Sequence, residues 1–145
     1  MRGSVRRMEA KDFLKEPSRI ARRIESLKIK KAEFETLANS IPGGNYDQPV
    51  VQKSHDNKAP FVRWIDKILE VEKKIEEAEK ELNKVKSEVL AAIEKIPNED
   101  YQNLLIMRYL NECTWDEICD KLYISKASVY RWHYDALKCI KIKET

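Results

Sequence analysis

Apolar residues recur through the middle of the chain at a spacing that suits a helix. Positions 61, 64, 68, 71, 75, 78, 82, 85, 89, 92 and 96 read Phe, Trp, Ile, Val, Ile, Ala, Leu, Val, Val, Ala and Ile. The steps alternate between threes and fours without a break, with Glu and Lys between them. That pattern predicts one long helix carrying a coiled-coil seam, roughly 54 Å from end to end. Ile65, Leu69, Leu90 and Ile93 widen the stripe, so contact with more than one neighbour is expected.

A first helix is expected over about 18–39. Ile20, Ile24, Leu27, Phe34, Ala38 and Ile41 step by 4, 3, 7, 4 and 3, and Lys31 fills the gap, where its stem can lie along apolar surface. Met8–Glu16 reads as a separate short helix, because Pro17 disfavours helix in the residue before it. Residues 1–7 read as a flexible basic arm. Residues 39–60 contain Pro42-Gly43-Gly44, Pro49 and Pro60 and read as a linker, with His55 a loop residue. Folded back across this linker, the two helices would form an antiparallel hairpin over 8–96. The first is roughly 33 Å long and too short for the whole seam. The remainder must pack on the C-terminal region or on a second copy, and homodimerisation is the preferred account.

The periodicity changes after Ile96-Pro97. Asn98 can cap a helix whose first turn holds Glu99 and Asp100. Thr114 can cap another, with Glu117 three residues on as its reciprocal partner. Trp115, Ile118, Cys119 and Leu122 then form one apolar stripe. Tyr123-Ile124 turns the chain, Ser125 caps, and Lys126 to Lys141 is helical again. Val129, Ala136 and Ile140 form the core face of this last helix, flanked by Trp132 and Leu137. Trp115 and Trp132 read as core residues, and His133 as a satisfied, partly buried histidine. Ala127, Arg131, Tyr134 and Lys138 lie opposite the core face. A small residue, an arginine, a tyrosine and a lysine on one outward stripe suit a helix entering the major groove: Arg forks to guanine, and Lys and Tyr reach phosphates. The competing reading is a short helical pair whose tyrosines simply cover the surface.

Charge placement favours the first reading. Glu99 to Asp120 holds six acids and one base, and Lys121 to Lys143 holds six bases and one acid. A basic segment beside an acidic support is a plausible DNA footprint. Residues 1–31 hold eleven Lys/Arg and four acids. Arg19, Arg22, Arg23, Lys28 and Lys30 there read as a solvated basic face, with DNA backbone contact the alternative. With 37% charged residues and three glycines in 145, the expected class is all-α: a long antiparallel coiled-coil hairpin followed by a small three-helix domain over 97–145. The net charge of +3 excludes a histone-like blanket. Cys113, Cys119 and Cys139 form no CxxC pair and with His133 supply no zinc spacing, so no metal or other cofactor is expected. They suit a reduced cytoplasmic chain. No apolar run is long enough for a membrane span. No catalytic constellation stands out, so an enzyme is not expected.

From MRYLNECTWDEICDKL to SKASVYRWHYDAL the chain resembles region 4 of bacterial sigma factors. More closely, it resembles a phage and prophage family that pairs a helical hairpin with such a domain. The elements carrying the likeness are Pro42-Gly43-Gly44, Arg108-Tyr109-Leu110, Trp115, Ile118, Ser125, His133 and Ala136-Leu137. It is broadly similar to the RinA- and ArpU-type activators, which implies a DNA-binding transcriptional regulator switching on phage late genes through a helix-turn-helix, with RNA polymerase as a possible partner. Carried over by position, the resemblance places Lys126, Ala127 and Arg131 near bases, and Ser128 and Tyr130 near the backbone; Ser125, Tyr134 and Lys138 are the other expected backbone contacts. Two departures stand out. Cys119 replaces a usual Ala. Tyr123 replaces a usual Gly, so a left-handed backbone there would be strained. Since Ala127 donates no hydrogen bond, specificity is expected to draw on a homodimer or higher oligomer, a polymerase partner or DNA shape. The other functions to separate are a DNA-recognition subunit of phage packaging and a coiled-coil interaction module that binds no DNA.

Overall fold

The computed structural model describes residues 2–40 and 60–142. The linker residues 41–59, with Pro42-Gly43-Gly44 and His55, lie outside them. All regular structure among the described residues is helical, so the protein is all-α: α1 Arg2–Asn39, α2 Pro60–Glu94, α3 Glu99–Leu105, α4 Trp115–Leu122 and α5 Lys126–Cys139. A π-helical turn, Ile106–Leu110, extends α3 and ends with the Asn111 amide donating to the Ile106 carbonyl at 3.0 Å. The chain divides into two compact units, one of Met1–Ala21 with Glu81–Thr145 and the other of Arg22–Lys80.

Two expectations at the N-terminus need correction. The helix does not stop at Pro17 but runs through it, and its backbone is already helical at Arg2, inside the segment read as an arm. An internal proline forfeits one backbone hydrogen bond and crowds the preceding turn, at a cost of about 3 kcal/mol. Here Ala10, Leu14, Pro17 and Ile20 are all buried. Each large apolar side chain so buried contributes about 1.5–3 kcal/mol, enough to offset the break.

In the first unit, Ala10 and Leu14 of α1 join Val89, Ile93 and Ile96, then Leu104, Leu105 and Tyr109, then Ile118, and finally Val129, Ala136, Leu137 and Ile140 of α5, in a single core. The compact unit therefore differs from a domain confined to 97–145. Three short helices have too little apolar surface for a stable core of their own, and the ends of both long helices complete it. Ser18 of α1 adds a polar tie, its hydroxyl donating to the Tyr109 carbonyl at 3.5 Å.

In the second unit, Ile24, Ile68, Val71 and Ala78 are buried. Phe34 of α1 meets Trp64 of α2 at 5.6 Å between ring centroids, and Lys67 lies over both rings. Lys31, half-buried at the gap in the apolar stripe, pairs with Glu72 of α2 at 3.3 Å and with Glu35 at 3.7 Å. Every seam position from Phe61 to Ile96 is buried or half-buried. Of the residues that widen the stripe, Ile93 is buried, whereas Ile65, Leu69 and Leu90 face solvent. No helix among the described residues is long and apolar enough to cross a membrane.

Candidate functional site

The two helices that carry the candidate residues are set by their caps. Thr114 and Glu117 close a reciprocal capping box at the start of α4: the Glu117 amide donates to the Thr114 hydroxyl at 3.1 Å, and the Thr114 amide to the Glu117 carboxylate at 3.2 Å. This satisfies two amides that a helix N-terminus otherwise leaves unpaired. Tyr123 ends α4 in the left-handed region, φ 56° and ψ 46°. Its amide and that of Ile124 both donate to the Cys119 carbonyl, which reverses the chain within two residues. Ser125 then caps α5 by accepting from the Ser128 amide at 3.1 Å.

With α5 started there, Val129, Ala136, Leu137 and Ile140 go to the core, while Ala127, Arg131, Tyr134 and Lys138 are all exposed. Lys126, Ser125 and Tyr130 are exposed as well, and Ser128 is half-buried. The eight candidate residues thus fall on one accessible side of α5 and its first turn. A short polar chain runs along it: the Ser125 hydroxyl donates to the Ser128 hydroxyl at 3.0 Å, and Arg131 donates to that same oxygen at 3.3 Å. Lys126 is held by Asp116 of α4 at 2.9 Å, an ion pair that raises its pKa. Tyr134 is 44% exposed, and its ring has Lys138 Nζ 4.3 Å from its centroid.

Behind this face lies an aromatic support. Trp115 packs edge-on against Tyr130 at 5.5 Å and against His133 at 4.7 Å, with the Arg108 guanidinium 4.3 Å from its ring centre. Trp115 and Trp132 are half-buried against the core. The ring of His133 is satisfied from within, its Nε2 lying 2.6 Å from the Tyr109 hydroxyl. Burial, then Lys11, Arg108 and Lys15, lowers the His133 pKa to about 4, and burial raises that of Tyr109 to about 12. Both shifts favour neutral partners, with tyrosine donating and imidazole accepting. Tyr101 anchors the other side of α5 through Asp135, 3.4 Å away, and packs on Trp132.

One participant escaped the sequence reading. Arg7 of α1 stacks its guanidinium 4.0 Å from the centre of the Tyr134 ring, bringing a fourth cation to the exposed face beside Lys126, Arg131 and Lys138. The basic composition of residues 1–7 was the available signal, but it gives no position. Tyr123, noted as a departure, projects from the turn 93% exposed. The three cysteines are unpaired. Lys121 lies 3.7 Å from the Cys113 sulfur.

The fold and this face define an all-helical protein that presents one basic, aromatic and hydroxyl-bearing helix surface on a compact unit. Residues 50–141 match the family described as "Protein of unknown function (DUF1492)", and the chain belongs to that family. The match begins in the linker and takes in α2 to α5; α1, which completes the core, lies before it. No curated protein and no solved structure matches the chain.

Proposed function

We propose that the protein is a non-enzymatic, DNA-binding transcriptional regulator of the phage type. In this reading α4 and α5 act as a helix-turn-helix of the sigma region 4 kind, and α5 enters the major groove. The observation that carries it is the division of α5: one side supplies core residues, while the other leaves Arg131, Tyr134 and Lys138 accessible together. Arg131 can fork to guanine O6 and N7 once it leaves the Ser128 hydroxyl, and Lys126 can reach a base edge once released from Asp116. Ala127 lets the backbone of the first turn approach the groove. Ser125, Ser128, Tyr130, Tyr134 and Lys138 supply backbone contacts that fix the register. The protein would act in the cytoplasm of a bacterial host, as a homodimer or higher oligomer beside RNA polymerase, switching on late genes.

Selection of bound sequences from a random duplex library tests this. The wild type should enrich one sequence class, and Arg131→Ala should lose discrimination worth about 1–3 kcal/mol while its helicity stays unchanged. Intact selectivity in Arg131→Ala would make α5 the wrong readout helix. Absence of duplex binding even at low salt, where phosphate contacts are strongest, would leave an interaction protein. Co-purification with a packaging motor instead of polymerase would point to packaging.

A further inference from the structure

We propose that the N-terminal end of α1 is a second DNA-contacting element, in which Arg7, stacked on Tyr134 beside Lys138, binds the phosphate backbone next to α5. The inference rests on the DNA reading of α5 and adds to it an element from the opposite end of the chain. Arg7 lies 4.0 Å and Lys138 4.3 Å from the centre of the same ring. That ring belongs to Tyr134, on the outward stripe of α5. Arg7 and Lys138 thus bring a guanidinium and an ammonium to one accessible ring. A phosphate group beside that ring can accept from the guanidinium through its planar fork and pair with the ammonium as a point charge.

Packing supports this placement. Ala10, one turn beyond Arg7, and Leu14, a further turn on, are buried in the core that also holds Val129 and Ala136 of α5. The end of α1 therefore shares a core with α5, which suits a backbone-positioning contact. Sequence charge agrees: residues 1–7 hold three arginines and no acid. Need agrees as well, because Ala127 contributes no hydrogen bond, and few side chains of α5 can read bases. Contacts that carry no sequence information must then supply much of the affinity and the register.

The alternative role for Arg7 is to tie α1 to α5 without touching DNA. Salt dependence separates the two and needs no known operator, since phosphate contacts are indifferent to sequence. Binding of a fluorescent mixed-sequence duplex would be titrated with the full-length wild type, Arg7→Gln and Arg7→Lys between about 50 and 200 mM salt. Loss of one phosphate contact should make the log–log slope for Arg7→Gln shallower by about 0.9. Arg7→Lys should restore the slope. Arg7→Gln should weaken a selected sequence and the mixed duplex by the same factor. An unchanged slope in Arg7→Gln overturns the inference, whether or not its melting temperature falls, while leaving the α5 reading intact. A wild type that binds no duplex at low salt overturns both.

Discussion

Tyr109 and His133 show how a buried polar pair sets a pH limit behind the exposed face. The hydroxyl and ring nitrogen are 2.6 Å apart, and the histidine has a folded pKa of about 4 against 6.5 when free. Between those values the unfolded chain binds a proton that the folded chain refuses. Stability is therefore fully present above about pH 6.5 and falls as pH drops toward 4. Discounted for the ring's partial exposure, the loss is on the order of 2 kcal/mol. Carboxylates titrate in the same range, so the expected result is a difference: urea midpoints of the wild type should fall more steeply with acid than those of His133→Gln, and parallel curves would contradict it. At Tyr123 the conflict is between backbone and side chain, φ being 56°. A left-handed conformation costs a non-glycine residue about 1–2 kcal/mol, part of which glycine returns through its freer unfolded state. With the ring 93% exposed there is little packing to lose. Tyr123→Gly should thus raise stability by roughly 0.5–1 kcal/mol. A fall in the urea midpoint would mean that the ring makes a contact worth more than the strain.

Among elements, α1 is where local rules and the folded chain part company. Its proline predicts a break, yet the helix continues because the compensation comes from residues distant in sequence. Leu14 packs in one core with Val89, Leu104 and Val129, and no local window contains those partners. Leu14→Ala should cost about 2–5 kcal/mol, as truncation of a fully buried leucine does, read from chemical denaturation followed by circular dichroism. A loss below about 0.5 kcal/mol, the usual size of a surface substitution, would place α1 outside the core. By contrast, α2 was legible over its whole length, since a strict three-four alternation has one solution and every seam position found cover. The caps at Thr114 and Ser125 were legible too, because the interactions span only three residues. The sides of α5 followed from period alone. Left unread were the π-helical turn at Ile106–Leu110, the left-handed Glu112, and Arg7 on Tyr134. The first two lie between α3 and α4, outside any regular apolar period, and the last joins residues from opposite ends of the chain.

For the whole molecule, the DNA reading proposed for α5 makes a demand on the rest, because that face offers few groups able to read bases. One forked arginine discriminates by about 1–3 kcal/mol, whereas specific sites are typically held about 4–10 kcal/mol tighter than random DNA. Two copies reading two half-sites would close much of that gap, so self-association should leave a mark on the surface outside the α5 unit. In Arg22–Lys80, Leu69 is 57% and Ile65 39% exposed. They are one turn apart on α2, flanking a seam whose other positions are covered. Adjacent large apolar residues of this kind suit a helix packing on a second copy. Sedimentation of the wild type should show a concentration-dependent dimer or larger species. Leu69→Lys should shift it toward monomer while leaving melting of the α5 unit unchanged, and should reduce affinity for a selected two-half-site sequence far more than for a single half-site. A wild type that stays monomeric at all concentrations, yet still discriminates by more than one arginine supplies, would instead assign the missing specificity to a different protein partner or to the shape of the DNA itself.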